Sequence, residues 1–200
     1  MFTLDDEIRA ARFQRDIAAG NPLAQGHGLH AFVFFSFILA EALKLIIETW
    51  TDVHEWRPEV VFLVVITVLS AQYWWVVYES AFFYGRNLFS FACGALETAL
   101  FYAIAYLLRN FQSLRWPFFL LGAMVTLFVL VDLLKYIENV KKNERTYEHI
   151  SPRQLLRLIA IVLAFLGGFA CISEWVAASV LLMLVLVFTG LTGFARWKAA

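Results

Sequence analysis

The sequence predicts an all-α, polytopic integral membrane protein of about six transmembrane helices with both termini in the cytoplasm. Three observations carry that expectation. Of 200 residues, 62% are hydrophobic and 16% charged, where soluble chains hold about 45–50% apolar and about 25% charged residues. Six apolar runs approach the roughly 20 residues a helix needs to cross a hydrocarbon layer. Arginine and lysine are divided very unevenly between alternate connections.

The chain opens on MFTLDDEIRAARFQRD, which is rich in charge and has no apolar core, so it reads as neither a signal nor a transit peptide. Residues 1–22 instead read as a cytoplasmic amphipathic helix. Thr3 and Asp6 fit a capping box, Leu4, Ile8 and Ala11 form an apolar stripe, and Arg9, Arg12 and Arg15 can meet anionic headgroups. Gly20-Asn21-Pro22 ends it.

The apolar runs follow at about 31–50, 58–79, 88–108, 117–137, 155–172 and 176–195. The first four form one unit over 31–137. Residues 138–153 are a charged cytoplasmic connector, and 155–195 are a helical hairpin turning at Ser173-Glu174-Trp175. Ser151-Pro152 suits an N-cap followed by a first-turn proline. Gly167-Gly168, and Gly190 with Gly193, are expected to let the last two helices approach closely.

Orientation follows from the basic residues. With the N-terminus inside, the cytoplasmic side holds eleven of them: Arg9, Arg12, Arg15, Arg86, Lys141, Lys142, Arg145, Arg153, Arg157, Arg196 and Lys198. The outer side holds three, Arg57, Arg109 and Arg115. The expected location is the plasma (inner) membrane, with cytoplasmic termini.

Composition also excludes functions. Sixteen basic residues balance sixteen acidic ones, and the mean hydropathy is +0.71. A nucleic-acid partner calls for a basic excess, and disorder for low hydrophobicity with a high net charge. The sequence contains no G-x-S-x-G, P-loop or H-E-x-x-H motif. His27 and His30 have H-x-x-H spacing with no third ligand nearby, and the two cysteines lie inside apolar runs. The expectation is a protein that is no enzyme and carries no cofactor and no metal.

The informative residues are ionisable groups inside the runs, each costing about 2.5–3.5 kcal/mol or more at a bilayer centre. In the first run His30, Phe34, Phe37, Glu41, Lys44 and Glu48 repeat at spacings of 4, 3, 4, 3 and 4, which puts them on one helix face. Such a face belongs against other helices or water. In the third run Glu97 is flanked by Ser90, Gly94 and Thr98. At about 1.5 Å per residue, Glu41 and Glu97 both lie roughly 14–15 Å from the inner boundary. If adjacent, two carboxylates at one depth favour a shared proton. Asp132, with Lys135 and Tyr136, lies about 7–8 Å from the cytoplasmic boundary, and the second run ends in an aromatic cluster that includes Tyr73.

Two functional expectations arise. In the first, a homo-oligomer forms or regulates an ion or proton pathway between subunits. Glu41 and Glu97 are its midplane sites, Lys44 tunes them, and Asp132 and Tyr73 line an inner vestibule. In the second, the chain is a membrane sensor or scaffold that recruits a cytoplasmic effector, through Arg9, Arg12 and Arg15 and through Lys141, Lys142 and Arg145. The partners are therefore the lipid bilayer and either further copies or another subunit. A structural alternative for Glu41, Lys44 and Glu97 is that buried charges fix helix register and move nothing.

Overall fold

A computed structural model describes the backbone of residues 22–53, 55, 57–84, 88–110, 113–141 and 152–199. Side chains are described within 33–53, 55, 57–73, 91–110, 113–131, 133, 155–191, 193 and 194. The described chain is all-helical, with six helices and no strand: α1 (Pro22–Thr51), α2 (Pro58–Tyr84), α3 (Leu88–Arg109), α4 (Arg115–Lys141), α5 (Pro152–Gly168) and α6 (Glu174–Ala199). Each matches one apolar run of the sequence. The expected helix over residues 1–22 falls almost wholly outside the described residues, as does most of the 138–153 connector.

Proline sets the helix starts. All four prolines of the chain, Pro22, Pro58, Pro117 and Pro152, lie in a first helical turn, where the missing N–H has no intrahelical acceptor anyway. Helix α5 ends earlier than the apolar run that encodes it. Ala170 adopts a left-handed φ of 56°, the Cys171 N–H donates to the Leu166 carbonyl at 2.9 Å, and the Ala170 N–H donates to the Gly167 carbonyl at 3.0 Å. This is a Schellman cap, which closes the last turn and directs the chain into α6.

The helices form a closed circuit in the order α1, α3, α4, α5, α6, α2, with α2 and α3 also touching across it. The core is built on rings: Phe62 of α2 meets Phe118 of α4 edge to face at 4.8 Å, and Phe35 of α1 meets Phe91 of α3 at 5.3 Å. Helices α4 and α5 interlock through two reciprocal ring-on-glycine contacts. A Cβ at Gly122 would lie 3.1 Å from the Phe165 ring, and one at Gly168 would lie 3.0 Å from the Phe119 ring. Gly167 faces Ala177 of α6 and Phe118 of α4, whereas a Cβ at Gly190 or Gly193 would meet nothing within 4 Å. The expected close approach of α5 and α6 is thus confined to Gly167, and Gly168 serves α4.

Five threonine hydroxyls within the helices are satisfied locally. Thr49, Thr67, Thr98, Thr126 and Thr189 each donate their hydroxyl to the carbonyl four residues earlier. The exterior, by contrast, is apolar. Leu158, Val162 and Leu166 of α5 and Val176, Val180, Met183 and Val187 of α6 lie exposed, Val162 by 57% and Met183 by 65%. Among the described residues, Phe91–Arg109 and Glu174–Leu191 are long and apolar enough to cross a membrane, and shorter apolar helical stretches cover Pro58–Tyr73, Arg115–Val131 and Leu155–Gly168. In the α1–α2 connection Arg57 pairs with Glu55. That carboxylate, by hydrogen bond and by charge, holds the guanidinium above its usual range.

Candidate functional site: a buried carboxyl beside a cavity

Glu97 is fully buried, at 0% exposure, on the face of α3 turned toward α2. It lies twelve residues before Arg109, about 18 Å along the helix. Tyr73 comes to the same level from α2, fifteen residues or about 22 Å from Pro58. The Tyr73 hydroxyl donates to Oε2 of Glu97 at 3.4 Å and lies 3.4 Å from the Thr98 hydroxyl. Thr98 in turn donates to the Gly94 carbonyl, which fixes its rotamer. The Tyr73 ring is stacked on Phe101 at 5.8 Å and meets the edge of Phe128 at 5.4 Å. Three helices thereby aim one phenol at one carboxyl group.

Tyr73 has a second neighbour. With Gln72 it forms part of the wall of a cavity of about 90 Å³ between α2, α4, α5 and α6. Met124 and Phe128 of α4, Ala160 of α5 and Leu181 of α6 supply much of the remaining wall, and Arg157 brings a cation to it. The Arg157 guanidinium lies 5.9 Å from the Phe128 ring centre and 5.5 Å from that of Phe188, within cation–π range. Gln72 donates to the Thr189 hydroxyl, tying α2 to α6 at the cavity edge. The space exceeds the about 10–15 Å³ that one water molecule needs; its wall is mostly apolar, with Gln72, Tyr73 and Arg157 as the lining residues that carry polar groups.

The other sequence-derived positions sit elsewhere. Glu41 and Lys44 are exposed on the outer face of α1, and Glu48 pairs with Arg109 of α3 at 2.5 Å. The Phe35–Phe91 and Glu48–Arg109 contacts align α1 with α3. Interpolating between them puts Glu41 within about 4 Å of Glu97 along the bundle axis. The two carboxylates therefore share a depth and point in opposite directions, Glu97 inward and Glu41 outward. The side chains of Asp132 and Lys141, and Arg9, Arg12, Arg15, Lys142 and Arg145 altogether, lie outside the described residues. Among the described residues no three His, Cys, Asp or Glu side chains form a cluster that could hold a metal ion.

Sequence reasoning passed over Arg157 and Thr189 as parts of a site. Arg157 counted only as a cytoplasmic charge, although an arginine six residues into an apolar helix is itself a signal. No family model, no curated protein and no solved structure matches this chain.

Proposed function

We propose that the chain crosses the plasma (inner) membrane six times with both termini inside, and that it forms or regulates a pathway for protons or small cations. Glu97 is the interior site in this reading, and Tyr73 links it to the cavity. The observation that carries it is a single tyrosine that lines the cavity and also donates its hydroxyl to a fully buried carboxyl group. A phenol can accept a proton on one side and donate on the other, so it can relay charge without moving its ring.

The dimensions support the membrane part of the proposal. Helices of 22 to 30 residues extend about 33–45 Å, enough for a hydrocarbon layer of about 30 Å. Helix α5, with 17 residues, stands at the lower limit of the range that spans. The exposed aliphatic faces of α5 and α6 suit lipid, and the threonine back-bonds satisfy hydroxyls where water is scarce. The eleven-to-three basic asymmetry sets the orientation.

Glu41 and Lys44 lie on the outside of the bundle, so they reach a conducting path only where another chain covers α1. Proteoliposomes loaded with a pH-sensitive dye test the proposal. The wild-type protein should collapse an imposed proton gradient under a potassium–valinomycin potential, and Glu97→Gln should not. Equal flux through both proteins, or none through the wild type with protons or alkali cations, contradicts it.

A further inference from the structure

Helix α1 packs chiefly on α2 and α3 and leaves its opposite side open. That open side is regular. Val33, Phe37, Ala40, Lys44, Ile47 and Thr51 are all exposed, Phe37 by 70% and Ile47 by 63%. Their spacings of 4, 3, 4, 3 and 4 make the 3.5-residue repeat of a helix that packs along a parallel or antiparallel partner. Glu41 is exposed on the same side. Among the described residues neither Glu41 nor Lys44 makes an ion pair, whereas Glu48, one turn further on, is paired with Arg109.

We infer that the exposed face of α1 is the contact surface for a second copy of this chain, with the two α1 helices side by side and parallel. The inference rests on the membrane-spanning reading above, because in lipid the charges of Glu41 and Lys44 on this face demand a cover. Its charge pattern selects the occupant. Glu41 and Lys44 carry opposite charges one turn apart, so a two-fold axis along the bundle can set each charge diagonally against its opposite on the partner. In that arrangement residue i meets residue j and j meets i. The three-residue offset is about 4.5 Å of rise, within reach of a lysine stem, so each Lys44 can meet the partner's Glu41. Ala40, beside Glu41 on the same face, is small and lets the axes approach to the about 8–10 Å of packed helices. The orientation bias of the basic residues gives all copies one direction in the membrane, which selects the parallel pair over the antiparallel one.

Charge exchange tests this on the full chain in nanodiscs, with mass photometry reading the oligomer. The wild type should be dimeric. Glu41→Lys alone, or Lys44→Glu alone, should raise the dissociation constant by at least roughly tenfold, because four like charges then meet. The double variant Glu41→Lys/Lys44→Glu should pair again, and the two single variants should pair with each other when mixed. Oxidative cross-linking of Ala40→Cys in a Cys93→Ser/Cys171→Ser background leaves the charges intact, so it reports even if a charge variant misfolds. It should give a dimer of about 46 kDa, twice the 22.9 kDa chain, while Val162→Cys on α5 should not. A monomeric wild type, charge variants that pair as well as wild type, or cross-linking at Val162→Cys but not at Ala40→Cys overturns the inference. Extraction of the chain by alkaline carbonate instead overturns the membrane reading beneath it, and a membrane-embedded monomer overturns the dimer alone.

Discussion

Replacing Gly168 by alanine is expected to loosen the α4–α5 pair, and the structure sets the size of the effect. The added Cβ would lie 3.0 Å from Cγ and Cδ2 of Phe119, against about 3.5–4.0 Å for carbon atoms at rest. The ring has little room to retreat, since Phe169 meets it edge on at 4.8 Å and Phe165 and Trp116 flank it at 6.1 and 6.0 Å. Overpacking of this kind costs about 1–3 kcal/mol. Alanine returns up to about 1 kcal/mol through its better helix propensity. The net expectation is a loss of about 0–3 kcal/mol, a range a single variant does not resolve. A double-mutant cycle with Phe119→Ala separates the two effects, because the propensity gain is the same in both backgrounds and cancels. The coupling between Gly168→Ala and Phe119→Ala should then be about 1–3 kcal/mol. Thermal unfolding in detergent reads it, at about 2–4 °C per kcal/mol for a chain of this length. A coupling indistinguishable from zero would refute the ring-on-glycine account of how α5 is held against the cavity.

Three further outcomes are expected. Ala170→Gly should raise stability by about 0.5–1 kcal/mol, since it removes roughly 1–2 kcal/mol of left-handed strain against a smaller entropic loss, and a lower Tm would contradict the cap assignment. Arg109→Gln removes an ion pair whose side chains are 46% and 34% exposed, so solvent screening limits its loss to about 0–1 kcal/mol, measured as a Tm difference that shrinks with added salt. Tyr73→Phe keeps the ring stacked on Phe101 and removes only the hydroxyl, so it should cost about 1–3 kcal/mol from the lost hydrogen bond to buried Glu97 and slow proton flux in proteoliposomes.

The six helices were legible in the sequence because apolar run length and first-turn prolines are local signals. So was the shared face of Glu41, Lys44 and Glu48, which follows from 3.6-residue periodicity. Which way that face turns was not legible. In water an apolar stripe marks the core; on the membrane-spanning reading the core side and the outer side are both apolar, so the stripe loses its meaning. Glu97 and Glu41 are thus alike in sequence, each a carboxylate in an apolar run, and opposite in the fold, one buried under Tyr73 and one exposed. The glycines teach the same lesson. Gly190 and Gly193 permit a close approach that nothing among the described residues uses, while Gly122, which no motif marks, receives the Phe165 ring. The cavity was hidden for a further reason, since Arg157, which shares its wall with Gln72, and Thr189, which accepts from Gln72, lie 85 and more residues away and come near it only through the circuit of helices.

Proton flux through Glu97→Gln compared with Glu41→Gln, each reconstituted at equal density, tests the central claim most directly. The glutamine is isosteric, so folding and insertion should survive in both, and intact insertion is checked by cysteine accessibility at Cys171. The account predicts that Glu97→Gln falls to the rate of empty liposomes while the hydrogen-bonded Tyr73 remains in place. Wild-type flux in Glu97→Gln, whatever Glu41→Gln does, would contradict it.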